Sequence, residues 1–200
     1  IWHSAKEALA VPSKLGDSAI IMSTSTGTTL ALKLASEYDQ IVGLINFSPN
    51  VRPADPLAFM LNNPWGLEIS KKYFNSDFRE LGIDDPIYKD HWYVKYRIES
   101  LVSMQELVES TMNKRTFKKV KTPVLNIYYY EDDEHQDRIV RVDKIIKMHE
   151  QLGTIDSLKR SFAVKSGSHV LACETYSNDL QTVIDHVDSF AIEVLRLSSI

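Results

Sequence analysis

Two patterns of apolar residues alternate along the chain. Four short runs are apolar almost throughout and have the length of strands: Ser18–Thr24, Gln40–Phe47, Pro123–Tyr130 and Leu158–Lys165. Between and after them, apolar residues recur three and four positions apart. This spacing predicts helices over Trp2–Leu15, closed by Gly16, and over Thr26–Glu37, with Leu30 and Leu34 on one face. It predicts two more over Asp143–Leu152, ended by Gly153, and over Tyr176–Leu197, where Leu180, Val183, Ile184, Val187, Phe190, Ala191, Val194 and Leu195 form the stripe. Strands that show no polar alternation are covered on both faces. The order therefore predicts an α/β domain, a parallel sheet with helices on both faces built from βαβ units. The first run, Ala19–Ser23, is too apolar for an open sheet edge, so further strands are expected to precede it in a longer protein.

Residues 50–121 interrupt this rhythm. Prolines at 53, 56, 64 and 86 cut the segment into short pieces, aromatic residues from Phe59 to Tyr96 are dense, and one longer helix is predicted from His91 to Met112. Strand signals resume at Pro123, so 50–121 reads as a helical cap insertion into a single domain spanning 1–200. Its aromatic residues fit two roles equally well, covering an apolar pocket or packing the insertion's own small core.

Composition narrows the function classes. Apolar residues make up 44% and charged residues 25% of the 200, an ordinary globular balance, and the net charge of −4 offers no basic face for nucleic acid. No run approaches the roughly 18 apolar residues a membrane helix needs. The single cysteine, Cys173, excludes an intrachain disulfide framework and weakly favours a reducing, cytoplasmic setting. Nothing in the pattern specifies an oligomeric state.

Three short stretches carry candidate chemistry. Ser23-Thr24-Ser25-Thr26-Gly27 lies between a strand and a helix, with small residues two before and two after Ser25, as a sharp turn requires. A serine before a helix is also an ordinary N-cap. Gly167-Ser168-His169-Val170 follows the last strand and precedes the last helix, a placement that His3, His91, His149 and His186 lack; His91 reads as a helix start, His149 and His186 as helix residues. Between Tyr130 and Val140 lies the acidic stretch Glu131-Asp-Asp-Glu-His-Gln-Asp137-Arg-Ile-Val140. That stretch fits a solvated loop; a metal site using His135 is disfavoured, because no second histidine stands at ligand spacing.

Taken together, the three stretches resemble α/β-hydrolases, whose nucleophile elbow has the form G-x-S-x-G and whose catalytic groups follow in the order Ser, Asp, His. The resemblance spans the chain, and Ser23 departs from it where glycine is commonest. With Phe47-Ser48-Pro49-Asn50 and Tyr128-Tyr-Tyr130, the motifs are similar to those of a bacterial group of uncharacterised α/β-hydrolases. The resemblance implies Ser25 as nucleophile, His169 as general base and the Thr26 N–H as one donor of an oxyanion hole. For the acid it implies Asp137, which fits the D-x-x-V form through Val140; Asp133, which fits by its distance from the strand, is the alternative. The implied activity is hydrolysis of carboxylic esters or related acyl substrates, small molecules, with no metal and no cofactor. A thioesterase, acyltransferase or peptidase on the same fold is an alternative, as is a non-catalytic binding protein. The second oxyanion donor of the family belongs to a loop well before the elbow, so this chain is expected to lack part of the hole.

Overall fold

The computed structural model describes residues 1–198; the expected domain end at residue 200 lies outside the described residues. Four parallel strands form the main sheet: β1 (Ala19–Thr24), β2 (Ile41–Phe47), β5 (Val124–Tyr129) and β6 (Lys159–Val164), in the order β1-β2-β5-β6. Helices α1 (Trp2–Ala10), α2 (Thr26–Ala35), α6 (Lys114–Lys119), α7 (Val142–Gln151) and α8 (Leu180–Glu193) surround it. On one face, Leu44, Val124 and Tyr128 pack with Leu32 and Leu34 of α2, Phe117 of α6, and Ile145 and Met148 of α7. On the other, Ile45, Phe47, Leu125 and Ile127 pack with Val183 and Phe190 of α8. The central strands β2 and β5 are buried on both faces, which is why their sequences show no alternation.

Two compact units divide the chain: Ile1–Asp55 with Val108–Ile200, and Pro56–Leu107. The second is shorter than the expected insertion over 50–121 and is not wholly helical. It contains α3 (Gly66–Phe74), α4 (Pro86–His91), most of α5 (Ile98–Thr111), and β3 (Phe78–Glu80) paired antiparallel with β4 (Lys95–Arg97). The helix expected from His91 thus begins only at Ile98, because Lys95–Arg97 is extended against Phe78–Glu80; His91 ends a helix instead of starting one. The first helix stops at Ala10, ahead of Pro12, and a 3₁₀ turn, Pro12–Lys14, completes the segment. The last begins at Leu180, where Asp179 caps it by accepting from the Thr182 N–H at 3.3 Å.

Strand β1 is the outermost described strand on its side of the sheet. Ile21 and Ser23 face inward, whereas Ile20, Met22 and Thr24 are exposed, with Met22 at 59%. The apolar outer row that argues for a covered strand is therefore open here.

Candidate active site

Parallel strands place their carboxyl ends, and the loops that follow, along one rim of the sheet. Ser25, Asp137 and His169 all lie on that rim, after β1, β5 and β6, and all belong to the larger unit. Ser25 stands between β1 and α2 with φ 54 and ψ −120, a backbone region that L residues rarely occupy. Three backbone bonds hold it there. Its N–H donates to the Phe47 carbonyl at 2.9 Å, and its own carbonyl accepts from Thr28 at 3.0 Å and Asn50 at 3.1 Å. Ser25 stands at the N-cap position of α2, but its side chain makes no capping bond. The turn brings Gly27 close to Ser23: a Cβ at Gly27 would lie 3.6 Å from that of Ser23, an ordinary contact. Thr26 opens α2, so its N–H has no intrahelical acceptor and is free to serve an anion.

Asp137 and His169 meet directly. His169 Nδ1 lies 2.7 Å from Asp137 Oδ2, and the Asp137 side chain is fully buried. A buried carboxylate needs donors. Asp137 receives two more from the Ile139 and Val140 N–H groups, at 2.8 and 3.2 Å on Oδ1. In the neutral ring, donation of Nδ1–H to this carboxylate leaves the Nε2 lone pair as the acceptor. The ring sits in the loop after β6, where Gly167 at φ 66 packs so closely that a Cβ would lie 2.4 Å from Asn178 Nδ2. No hydrogen bond joins the Ser25 hydroxyl to His169 among the described residues.

The structure separates the two acid candidates. Tyr130 and Gln136 form an isolated antiparallel bridge, and the Glu131 N–H donates to the His135 carbonyl at 2.8 Å. The acidic run between them is a closed excursion, and Asp137 returns to the strand end with its N–H on the Tyr129 carbonyl at 3.1 Å. Asp133 stays on the exposed excursion, where it accepts from the Tyr130 hydroxyl at 3.0 Å, a bond that pushes the Tyr130 phenol upward from its ordinary range. His135 pairs with Asp132 at 2.9 Å. Among the described residues no three metal-ligating side chains gather.

Ser23, where the motif commonly has glycine, opens a buried polar row. Its hydroxyl donates to Asn46 Oδ1 at 2.9 Å and lies 3.0 Å from Thr28 Oγ1; Asn46 Nδ2 donates to Asn126 Oδ1 at 3.0 Å; Asn126 Nδ2 donates to His149 Nδ1 at 3.0 Å. Strand register explains the row, because Ser23, Asn46 and Asn126 are mutual partners across β1, β2 and β5. Asn46 and Ser48 carry no chemistry in the motif-based reading. The signal that marks them is polar residues alternating with apolar ones at the end of an otherwise apolar strand.

His149 anchors the far end of the row. Burial above all, with the nearby Lys159 charge, lowers its pKa to about 4 from the ordinary 6.5. Between those values the unfolded chain holds the proton and the folded one does not, so stability rises with pH across this window and is lost as pH falls from about 6.5 toward 4. The His149 share of that loss should be at most about 2 kcal/mol, the ring being partly exposed. Urea titrations of His149→Gln should show a flatter acid dependence than wild type; equal slopes would remove His149 from the account.

No protein-family model and no curated protein sequence matches the chain. Solved structures do match it in fold. A thermostable carboxyl esterase from Bacillus coagulans superposes with a TM-score of 0.66 at 15% identity, over 96% of this chain and 71% of that one. A monoglyceride lipase from Saccharomyces cerevisiae gives 0.65 at 12%, over 96% and 67%. The enol-lactonase from Burkholderia xenovorans gives 0.55 at 15%, over 92% and 71%. The chain therefore has the α/β-hydrolase fold and spans about 70% of the length of such structures. No described helix is long and apolar enough to cross a membrane.

Proposed function

We propose that this protein is a serine hydrolase of carboxylic esters or closely related acyl compounds, with Ser25, His169 and Asp137 as its triad. The observation that carries the reading is a backbone-strained serine on the same sheet rim as an imidazole oriented by a buried carboxylate at 2.7 Å. Nε2 of His169 removes the hydroxyl proton as Ser25 Oγ attacks the substrate carbonyl carbon. The carbonyl oxygen becomes an oxyanion, held by the Thr26 N–H. Collapse of this intermediate breaks the bond to the alkoxide, which takes the proton from His169 and leaves as an alcohol. Water, deprotonated by His169, attacks the acyl-serine; the acid departs, and the proton returns to Ser25. Asp137 holds the imidazole in its working tautomer and stabilises the imidazolium without itself taking a proton. The ester-hydrolysing enzymes among the structures of like fold support the substrate class by analogy.

A fluorophosphonate probe tests the assignment. The protein should be labelled on Ser25, and Ser25→Ala should abolish the label. Labelling that persists in Ser25→Ala would refute the role of Ser25. A second reading, a non-catalytic binding protein, draws on the missing Ser25–His169 hydrogen bond. A folded wild-type protein that resists the probe would favour it.

A further inference from the structure

Alternate residues at and beyond the end of β2 are polar and yet buried. Asn46 and Ser48 expose no surface, and Asn50 is 4% exposed. Burying polar groups is costly unless they are bonded, and each of these three bonds a different part of the site, although Asn50 Oδ1 itself is buried without a partner. Asn46 takes the Ser23 hydroxyl, at the start of the elbow. Asn50 takes its end: its N–H donates to the Ser25 carbonyl, its Nδ2 donates to Thr26 Oγ1 at 3.2 Å, and its carbonyl accepts from Thr29 Oγ1 at 2.7 Å.

Ser48, between them, reaches the opposite loop. Its hydroxyl donates to the main-chain carbonyl of His169 at 2.7 Å, while its N–H donates to Ile127 of β5 at 2.8 Å. The backbone there has φ 44, a left-handed conformation at a non-glycine residue. Glycine would adopt that angle freely but could not supply the hydroxyl.

We propose that Ser48 is a positioning residue for the general base. Its hydroxyl fixes the His169 main chain to the strand end that also holds the Ser25 elbow. The imidazole is then located from two sides, by Asp137 on its Nδ1 and by Ser48 on its backbone. The inference rests on the reading of His169 as the base.

Ser48→Gly and Ser48→Ala test it together. Both remove the hydroxyl, but glycine also relieves the left-handed backbone, so Ser48→Gly folds even where Ser48→Ala does not. If Ser48 matters only for its backbone angle, Ser48→Gly behaves as wild type. The expected result, read on a short-chain p-nitrophenyl ester, is a fall in kcat of about ten- to hundredfold in the glycine variant, with KM within about twofold. The low-field proton resonance of the His169 Nδ1–H, bonded to Asp137, should broaden or disappear with it. Wild-type kcat and an intact resonance in Ser48→Gly would overturn the proposal. A wild-type protein that neither hydrolyses the ester nor takes the fluorophosphonate would instead overturn the hydrolase reading, and this inference with it.

Discussion

Replacing Asp137 with asparagine should lower kcat about ten-thousand-fold while leaving the fold in place, and replacing Asp133 in the same way should change kcat by less than about threefold. The contrast follows from the contacts of the two carboxylates. Asp137 Oδ1 accepts from the Ile139 and Val140 N–H groups, and Oδ2 accepts from His169. An asparagine there keeps its oxygen on the two main-chain donors, where an amide nitrogen could not bond, and so turns its NH2 toward His169. Nδ1 must then accept, Nε2 must carry the proton, and the ring can no longer act as a base toward Ser25. The effect is a wrong tautomer more than a lost charge. Asp133 faces solvent on the excursion between Tyr130 and Gln136 and meets the Tyr130 hydroxyl. Steady-state hydrolysis by the two variants decides between them; a larger loss from Asp133→Asn would reverse the assignment.

That same excursion shows where the sequence is legible and where it stops. The four strands, their parallel orientation and the helices on both faces follow from periodicity, and the burial of β2 and β5 is written into their own residues, whereas the apolar outer row of β1 is exposed. The D-x-x-V spacing points to Asp137, which lies beside His169, whereas distance from β5 points to Asp133. The conflict dissolves only with the bridge from Tyr130 to Gln136, a local closure of the loop that motif spacing alone does not encode. Residues 91–97 fail for a related reason: pairing of Lys95–Arg97 with Phe78–Glu80 overrides a helical pattern, and that pairing depends on a partner well upstream. Ser23 looks like a defect in the elbow motif when read locally. Across the sheet it is the first member of a buried polar row through Asn46 and Asn126, visible only once strand register is known.

The strain at Ser25 leads to the largest effect. Ser25→Gly should abolish ester hydrolysis, a loss on the order of a millionfold, as expected when a nucleophile acting in concert with its base is removed. It should also yield a protein more stable than Ser25→Ala. A non-glycine residue at φ 54 and ψ −120 costs about 1–3 kcal/mol, and alanine keeps that cost because it keeps the Cβ. Glycine removes it but gains freedom in the unfolded chain worth about 0.5–1 kcal/mol, which acts in the opposite direction. The net advantage of glycine over alanine should be about 1 kcal/mol, readable as a higher urea midpoint at unchanged slope. The angle is enforced by bonds that neither substitution touches, from Ser25 to Phe47, Thr28 and Asn50 through the main chain, so both variants hold the same backbone. If Ser25→Gly proves less stable than Ser25→Ala, the strain at Ser25 is smaller than the glycine penalty of about 0.5–1 kcal/mol, and the fold does not store energy of the expected size there to present a nucleophile.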